Sequence, residues 1–132
     1  MSHFLVKTEP EEYSFDDLLR EKKVVWDGVR NYQARNNLKV MKKGDKVLVY
    51  HSGEKKEIVG ISEVIKEHYP DPADKTGVWV VVELKPVKKL KSPFPLWLIK
   101  REKMLSNMPL LKQSRLSVMP IQKHEFDCIV SF

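Results

Sequence analysis

The sequence predicts a small mixed α/β domain, α+β in arrangement, with helices flanking a curved, mostly antiparallel, barrel-like sheet. Three observations predict it. Runs of strand character follow one another from Lys46 to Val87, apolar residues at helical spacing follow capping signals at Ser14 and Asn31, and no repeat, low-complexity tract or linker interrupts the pattern. A chain of 132 residues, 42% of them hydrophobic, can bury most of its unfolded surface in one core, so residues 1–132 are read as a single domain.

The elements follow in order. His3 to Lys7 is an apolar run closed by Thr8-Glu9-Pro10, a buried strand that ends where proline stops the pairing. Ser14 with Asp17 three residues on is a capping-box variant, and Phe15, Leu18 and Leu19 give the inner face of a helix over Ser14 to Lys22. Val24-Val25-Trp26 is a brief strand broken at Asp27-Gly28. Asn31 caps a second helix whose face carries Ala34, Leu38 and Met41. After the turn at Lys43-Gly44-Asp45 come strands at Lys46 to Ser52, Glu57 to Glu67 and Val78 to Val87. Between the last two, prolines 70 and 72 make Tyr69 to Asp74 a loop at a pocket rim. Pro93 to Met108 reads as short helical pieces, and Pro120 to Ile129 as a closing helix with Ile121, Phe126 and Ile129 inward.

Composition narrows the function classes. The formal charge of +6 and pI of about 9.4 favour salt-dependent association with polyanions. No apolar run approaches the roughly 18 residues that span a bilayer, and the N-terminus lacks the pattern of a signal peptide, so no membrane partner is expected. A single cysteine, Cys128, agrees with a reducing compartment, and the expected location is cytoplasmic, beside the nucleoid, or nuclear in a eukaryote. Nucleophile-elbow, P-loop, dinucleotide and metalloprotease motifs do not occur, and the four histidines at 3, 51, 68 and 124 have no ligand spacing. No catalytic residue, metal or cofactor is therefore expected.

Three clusters stand out. Residues Trp26 to Asn37 combine an aromatic, a tight turn, two arginines and several amides: the indole offers a stacking face, and Asn31 a donor and an acceptor for a base edge. Tyr50-His51-Ser52 ends a strand, with Tyr50 and Ser52 on one face and His51 on the other. Ser114-Arg115-Leu116-Ser117 is the third. Each has a plainer alternative: Trp26 in the core with Arg30, Asn31 and Arg35 capping and solvating a helix, Tyr50 a core aromatic with His51 toward solvent, and a loop with a surface arginine.

Together with Lys7-Thr8-Glu9-Pro10, Gly44-Asp45, Val59-Gly60-Ile61, Tyr69-Pro70-Asp71-Pro72 and Val118-Met119-Pro120, these stretches resemble, in collinear order from residue 4 to about residue 130, the signatures of EVE domains. The resemblance implies a PUA-like fold and a non-enzymatic pocket for a flipped, modified base, such as 5-methylcytosine or 5-hydroxymethylcytosine in DNA. On that resemblance Trp26 stacks, Asn31, Tyr50, His51, Ser52, Arg115 and Ser117 line or polarise the pocket, and Lys7, Arg30 and Arg35 meet phosphates. Two departures bear on base choice: Phe4 stands where the family often has tryptophan, and the insert before Trp79 is short, Ala73 to Gly77. Trp26→Ala is expected to weaken binding and leave the fold largely intact. RNA, and a free nucleotide bound or processed in the same pocket, are the alternative partners.

Overall fold

The computed structural model describes residues 1–132. Its six strands are β1 (His3–Thr8), β2 (Val24–Trp26), β3 (Lys46–His51), β4 (Glu57–Pro70), β5 (Val80–Pro95) and β6 (Val118–Ile121), in one sheet of order β2-β5-β4-β3-β1-β6. Only β1 and β3 run parallel; the other four pairings are antiparallel. The helices are α1 (Phe15–Glu21), α2 (Tyr32–Lys39), α3 (Leu96–Arg101), α4 (Pro109–Lys112) and α5 (Lys123–Val130), with a 3-10 turn at Lys103–Leu105.

The cap signals act as their chemistry requires. Ser14 accepts from the Asp17 N–H while Asp17 accepts from the Ser14 N–H, a reciprocal capping box at the start of α1. The Asn31 carboxamide oxygen accepts from the Ala34 N–H at 2.9 Å and starts α2, which buries Ala34 and Leu38.

Three expectations need correction. Tyr69 and Pro70 are paired with Val81 and Val80, so the loop begins at Asp71; the missing proline N–H is tolerated where the strand ends. The third central strand runs to Pro95 instead of Val87. Its prolines do not stop it because β4 and β5 repeatedly slip register, including between Ile61 and Ser62, the latter opposite Pro86. Val118–Ile121 pairs with β1 as an edge strand, so the closing helix starts only at Lys123, and Ile121 is buried by a strand rather than by a helix. Four residues, one of them proline, are too short a run to show strand alternation.

The slips have a structural consequence. Bulges and similar irregularities bend strands and increase twist, and five register slips across β3, β4 and β5 coil the sheet. The perpendicular row through Trp26 passes Val82 and meets β4 between Lys66 and Tyr69, whereas the row through Thr8 passes His51 and meets β4 at Glu57, its other end. Strands inclined to a common axis bring such staggered ends together, as in a barrel. Here the edges β2 and β6 are not paired, so the barrel-like sheet is coiled but open. Helix α2 packs against both β6 and β5, and Asn37 donates from its side-chain amide to the Val118 carbonyl at 2.7 Å, filling part of the gap.

Gly60 lets α1 seat on this curve. A Cβ there would clash with the Phe15 ring, and Phe15 is almost fully buried. Gly60→Ala is predicted to cost about 1–3 kcal/mol by overpacking. Phe15→Leu in the Gly60→Ala background should cost less than in the parent, and strictly additive losses in urea unfolding would contradict this contact.

Candidate base-binding slot

At the open seam lies a cavity of about 720 Å³. Four segments wall it: Lys7, Thr8, Glu9, Glu12 and Tyr13 from the end of β1 and the turn beyond; Val24 to Arg30 from β2 and the following bend; Ser52 after β3; and Ser114 with Ser117 ahead of β6. The backbone fixes them to one another. The Lys7 N–H donates to the Ser117 carbonyl and the Ser52 N–H to the Thr8 carbonyl, both at 2.9 Å. The Thr8 hydroxyl donates to the Tyr13 carbonyl at 2.7 Å and holds the turn that carries Glu9 and Glu12.

Trp26 is both wall and core. It is 8% exposed, belongs to the main apolar cluster and still borders the cavity, with the Tyr13 ring edge-on at 6.3 Å and 86°. Truncating so buried an indole costs about 3–5 kcal/mol, so the expectation that Trp26→Ala leaves the fold largely intact is withdrawn. The Tyr13 hydroxyl donates to Glu21, and its pKa is pushed well up by burial first and by that bond second.

Lys7 carries the slot's interior cation. Its Nζ donates to the Ser114 carbonyl at 2.8 Å and lies 5.9 Å from the centre of the Tyr50 ring, and burial lowers its pKa from the ordinary value of 10.5. Two of its three N–H donors remain for a ligand. Tyr50 itself is buried behind the wall and is not part of the lining. Burial raises its pKa.

Arg30 borders the slot under restraint. Its Nη1 donates to the Val29 carbonyl and to Asp71 Oδ2, each at 3.0 Å, and its guanidinium lies 5.6 Å from the centre of the Trp79 ring. Asp71 is only 2% exposed. Burial alone would raise its pKa, but hydrogen bonds from the Ala73 N–H, the Arg30 guanidinium and the Gly28 N–H outweigh it and leave the carboxylate below its usual range. The Asp71 loop thus ties the bend after Trp26 to the sheet. Beyond it a stack continues: Trp79 and Tyr32 lie 4.9 Å apart, and Arg35 is 5.1 Å from the Tyr32 ring while donating to the Val78 carbonyl at 3.3 Å.

Of the residues singled out in the sequence, the slot therefore gathers Lys7, Trp26, Arg30, Ser52 and Ser117, and not Asn31, Arg35, Tyr50, His51 or Arg115. Asn31 uses its oxygen as a helix cap, and Arg115 is exposed between the two lining serines. His51 points to α1: its Nε2 accepts from the Phe15 N–H at 3.1 Å. Glu9, Glu12, Tyr13 and Asp27 also line the cavity, and the sequence reading did not single them out. The first three come from a turn, where no periodicity marks a side chain's direction.

These features define a domain with one polar, aromatic-floored slot at the seam of an open coiled sheet. Residues 2–132 match the EVE domain family, and the chain belongs to it. Human thymocyte nuclear protein 1 is 35% identical over 164 aligned residues, covering 98% of this chain and 73% of its own length; the alignment is longer than this chain, so the relative carries insertions. Two solved structures superpose closely. A protein from Rhodopseudomonas palustris is 42% identical with a TM-score of 0.94, covering 99% of this chain and 92% of its own. The human THYN1 protein in complex with DNA containing 5-methylcytosine is 34% identical with a TM-score of 0.93, covering 99% and 96%.

His51 supplies a pH test. Burial holds its pKa below the ordinary 6.5, aided by Lys89 and opposed by Glu57, Asp16 and Glu11. Because the folded value is depressed, the stability it contributes is whole above pH 6.5 and is lost as pH falls through the folded value. His3, also depressed chiefly by burial, acts in the same direction. Thermal midpoints of the parent should fall with acidification over that window, and those of His51→Gln, which keeps an acceptor but does not titrate, should fall less. Parallel curves would overturn this role for His51.

Proposed function

We propose that this chain is a non-enzymatic reader of modified DNA that draws one extruded base, of the 5-methylcytosine or 5-hydroxymethylcytosine kind, into the slot beside Trp26. One observation carries the reading: the indole borders an open polar cavity in a chain that closely superposes on a relative bound to 5-methylcytosine DNA. The cavity's size lies within the roughly 300–1,000 Å³ usual for small-ligand sites.

The charge arrangement supports a base rather than a phosphate inside. Glu9, Glu12 and Asp27 outnumber Lys7 and Arg30 along the lining, so an anionic group entering the slot meets net repulsion. A cytosine ring presents an exocyclic amine as donor and a carbonyl and ring nitrogen as acceptors. The carboxylates suit the amine and the free Lys7 donors suit the acceptors. Phosphates stay outside, where Arg30 and Arg35 are held in place by Asp71 and the aromatic stack, and where exposed Arg115 borders the serine edge. Asn31, Tyr50 and His51 serve from behind the wall: Asn31 caps α2, Tyr50 supports the Lys7 ammonium, and His51 seats α1. A free nucleotide, carrying its phosphate into the acidic rim, fits less well. Action on DNA inside the cell is part of the same reading.

Extrusion costs a few kcal/mol, which stacking on an aromatic and matched polar contacts can return. A methyl group in an apolar niche adds only about 1–3 kcal/mol, so discrimination between modified and plain base should be tens to hundreds of fold.

Titrations of duplexes that differ only at one cytosine methyl, with a matched RNA strand alongside, test this. Trp26→Phe should keep the thermal midpoint close to the parent's and weaken the modified duplex several-fold. Ser117→Phe, which fills the slot, should abolish the preference for the modified base. Retention of that preference in Ser117→Phe, or stronger binding to the RNA, would defeat the proposal.

A further inference from the structure

We infer that α3 and the β3–β4 turn form a second nucleic-acid contact, separate from the slot, in which Trp97 stacks a base of single-stranded or locally unstacked DNA flanking the modified one. The inference rests on the base-reading proposal only for where the strand comes from; the contact itself stands on the following geometry.

Trp97 is 58% exposed on a six-residue helix. A large indole left in water is unusual on a domain whose core already takes up 31 apolar side chains. Arg101, one turn on, lies 5.9 Å from the centre of its ring. An arginine over one part of an exposed aromatic face is the pairing that single-strand binders use to hold bases and backbone together. The neighbourhood is basic. Lys55 and Lys56 in the turn, with Lys100, Arg101 and Lys103, face three carboxylates at 54, 57 and 102, and no ion pair within 4.0 Å neutralises any of the five cations.

The turn and the helix are joined into one surface. The Leu96 N–H donates to the Lys56 carbonyl at 2.9 Å, and Glu57 pairs with Pro95, the residue before α3. This surface also adjoins the slot. Thr8, which lines it, pairs with His51, His51 with Glu57, and Glu57 with Pro95. Three interstrand steps of about 4.8 Å put the start of α3 within about 15 Å of Thr8, and sheet curvature only shortens that path. That is a distance a few nucleotides cross. The Arg30–Trp79–Tyr32–Arg35 stack lies toward the other end of β4, so the slot has a basic, aromatic surface on each side, as a strand crossing its mouth requires.

Five unpaired cations against three carboxylates around a single exposed indole favour a polyanionic strand over a protein partner. The test uses the full chain and an unmodified pyrimidine single strand of roughly 12 nucleotides at low salt, read by anisotropy. The parent should bind with an affinity that falls as salt rises. Trp97→Ala should weaken binding roughly ten-fold, Trp97→Phe should restore most of it, and Arg101→Gln should weaken binding and flatten the salt dependence. Each variant should keep the parent's ratio of affinities for modified and plain duplexes. The inference is overturned if the parent does not hold the plain strand, if Trp97→Ala binds it equally well, or if Trp97→Ala changes only the modified-to-plain ratio. If the parent shows no such ratio but Trp97→Ala still loses the plain strand, the base-reading proposal fails and this contact stands.

Discussion

The structure depends on one constraint: a six-stranded sheet coiled far enough to bring β2 opposite β1 and β6, yet left unpaired there. Slips in the β3, β4 and β5 ladders supply the curvature, and Gly60 admits the Phe15 ring so that α1 can seat against the sheet. The seam that remains is partly filled by α2, whose Asn37 side chain bonds to the Val118 carbonyl of β6. What is left over is the slot. It exists because the barrel does not close, and its walls are chain ends and bends whose side chains no ladder constrains.

Placing the slot at a seam explains how Trp26 can serve two purposes. One part of the indole packs with the core that holds β2 to β5, and another borders open space. The bend after it is anchored by buried Asp71, which accepts from Gly28 and Arg30. On the base-reading proposal, a surface anchored by these bonds has little left to order when a base arrives, so little entropy is lost on binding. The same anchoring couples affinity to stability, because Asp71 without Arg30 would be a buried carboxylate missing its cation.

Much of the fold was legible where local chemistry speaks for itself. The Ser14–Asp17 box, the Asn31 cap and the strands β1, β2 and β3 follow from adjacent residues. What failed depends on partners far away in sequence. Val118–Ile121 is a strand only because β1 offers an edge, and β5 continues past Pro86 only because bulges absorb the missing N–H. At the cavity, the motif around Trp26 marks a bend that forms part of the lining, but residue type did not reveal which side chains face it. Asn31 and His51 spend their polar atoms on helix starts, and the carboxylates of the turn after β1 carry no pattern that sequence reading could use. The resemblance to EVE domains supplied what local rules could not, since it rests on stretches spread along the whole chain.

The most direct measurement follows the indole N–H resonances of the three tryptophans while a duplex bearing a single 5-methylcytosine is added. The account predicts that the Trp26 signal shifts and saturates together with the amides of Lys7 and Ser117, and that the unmethylated duplex moves them far less at equal concentration. A Trp26 signal that stays in place while the protein visibly binds the methylated duplex would contradict it.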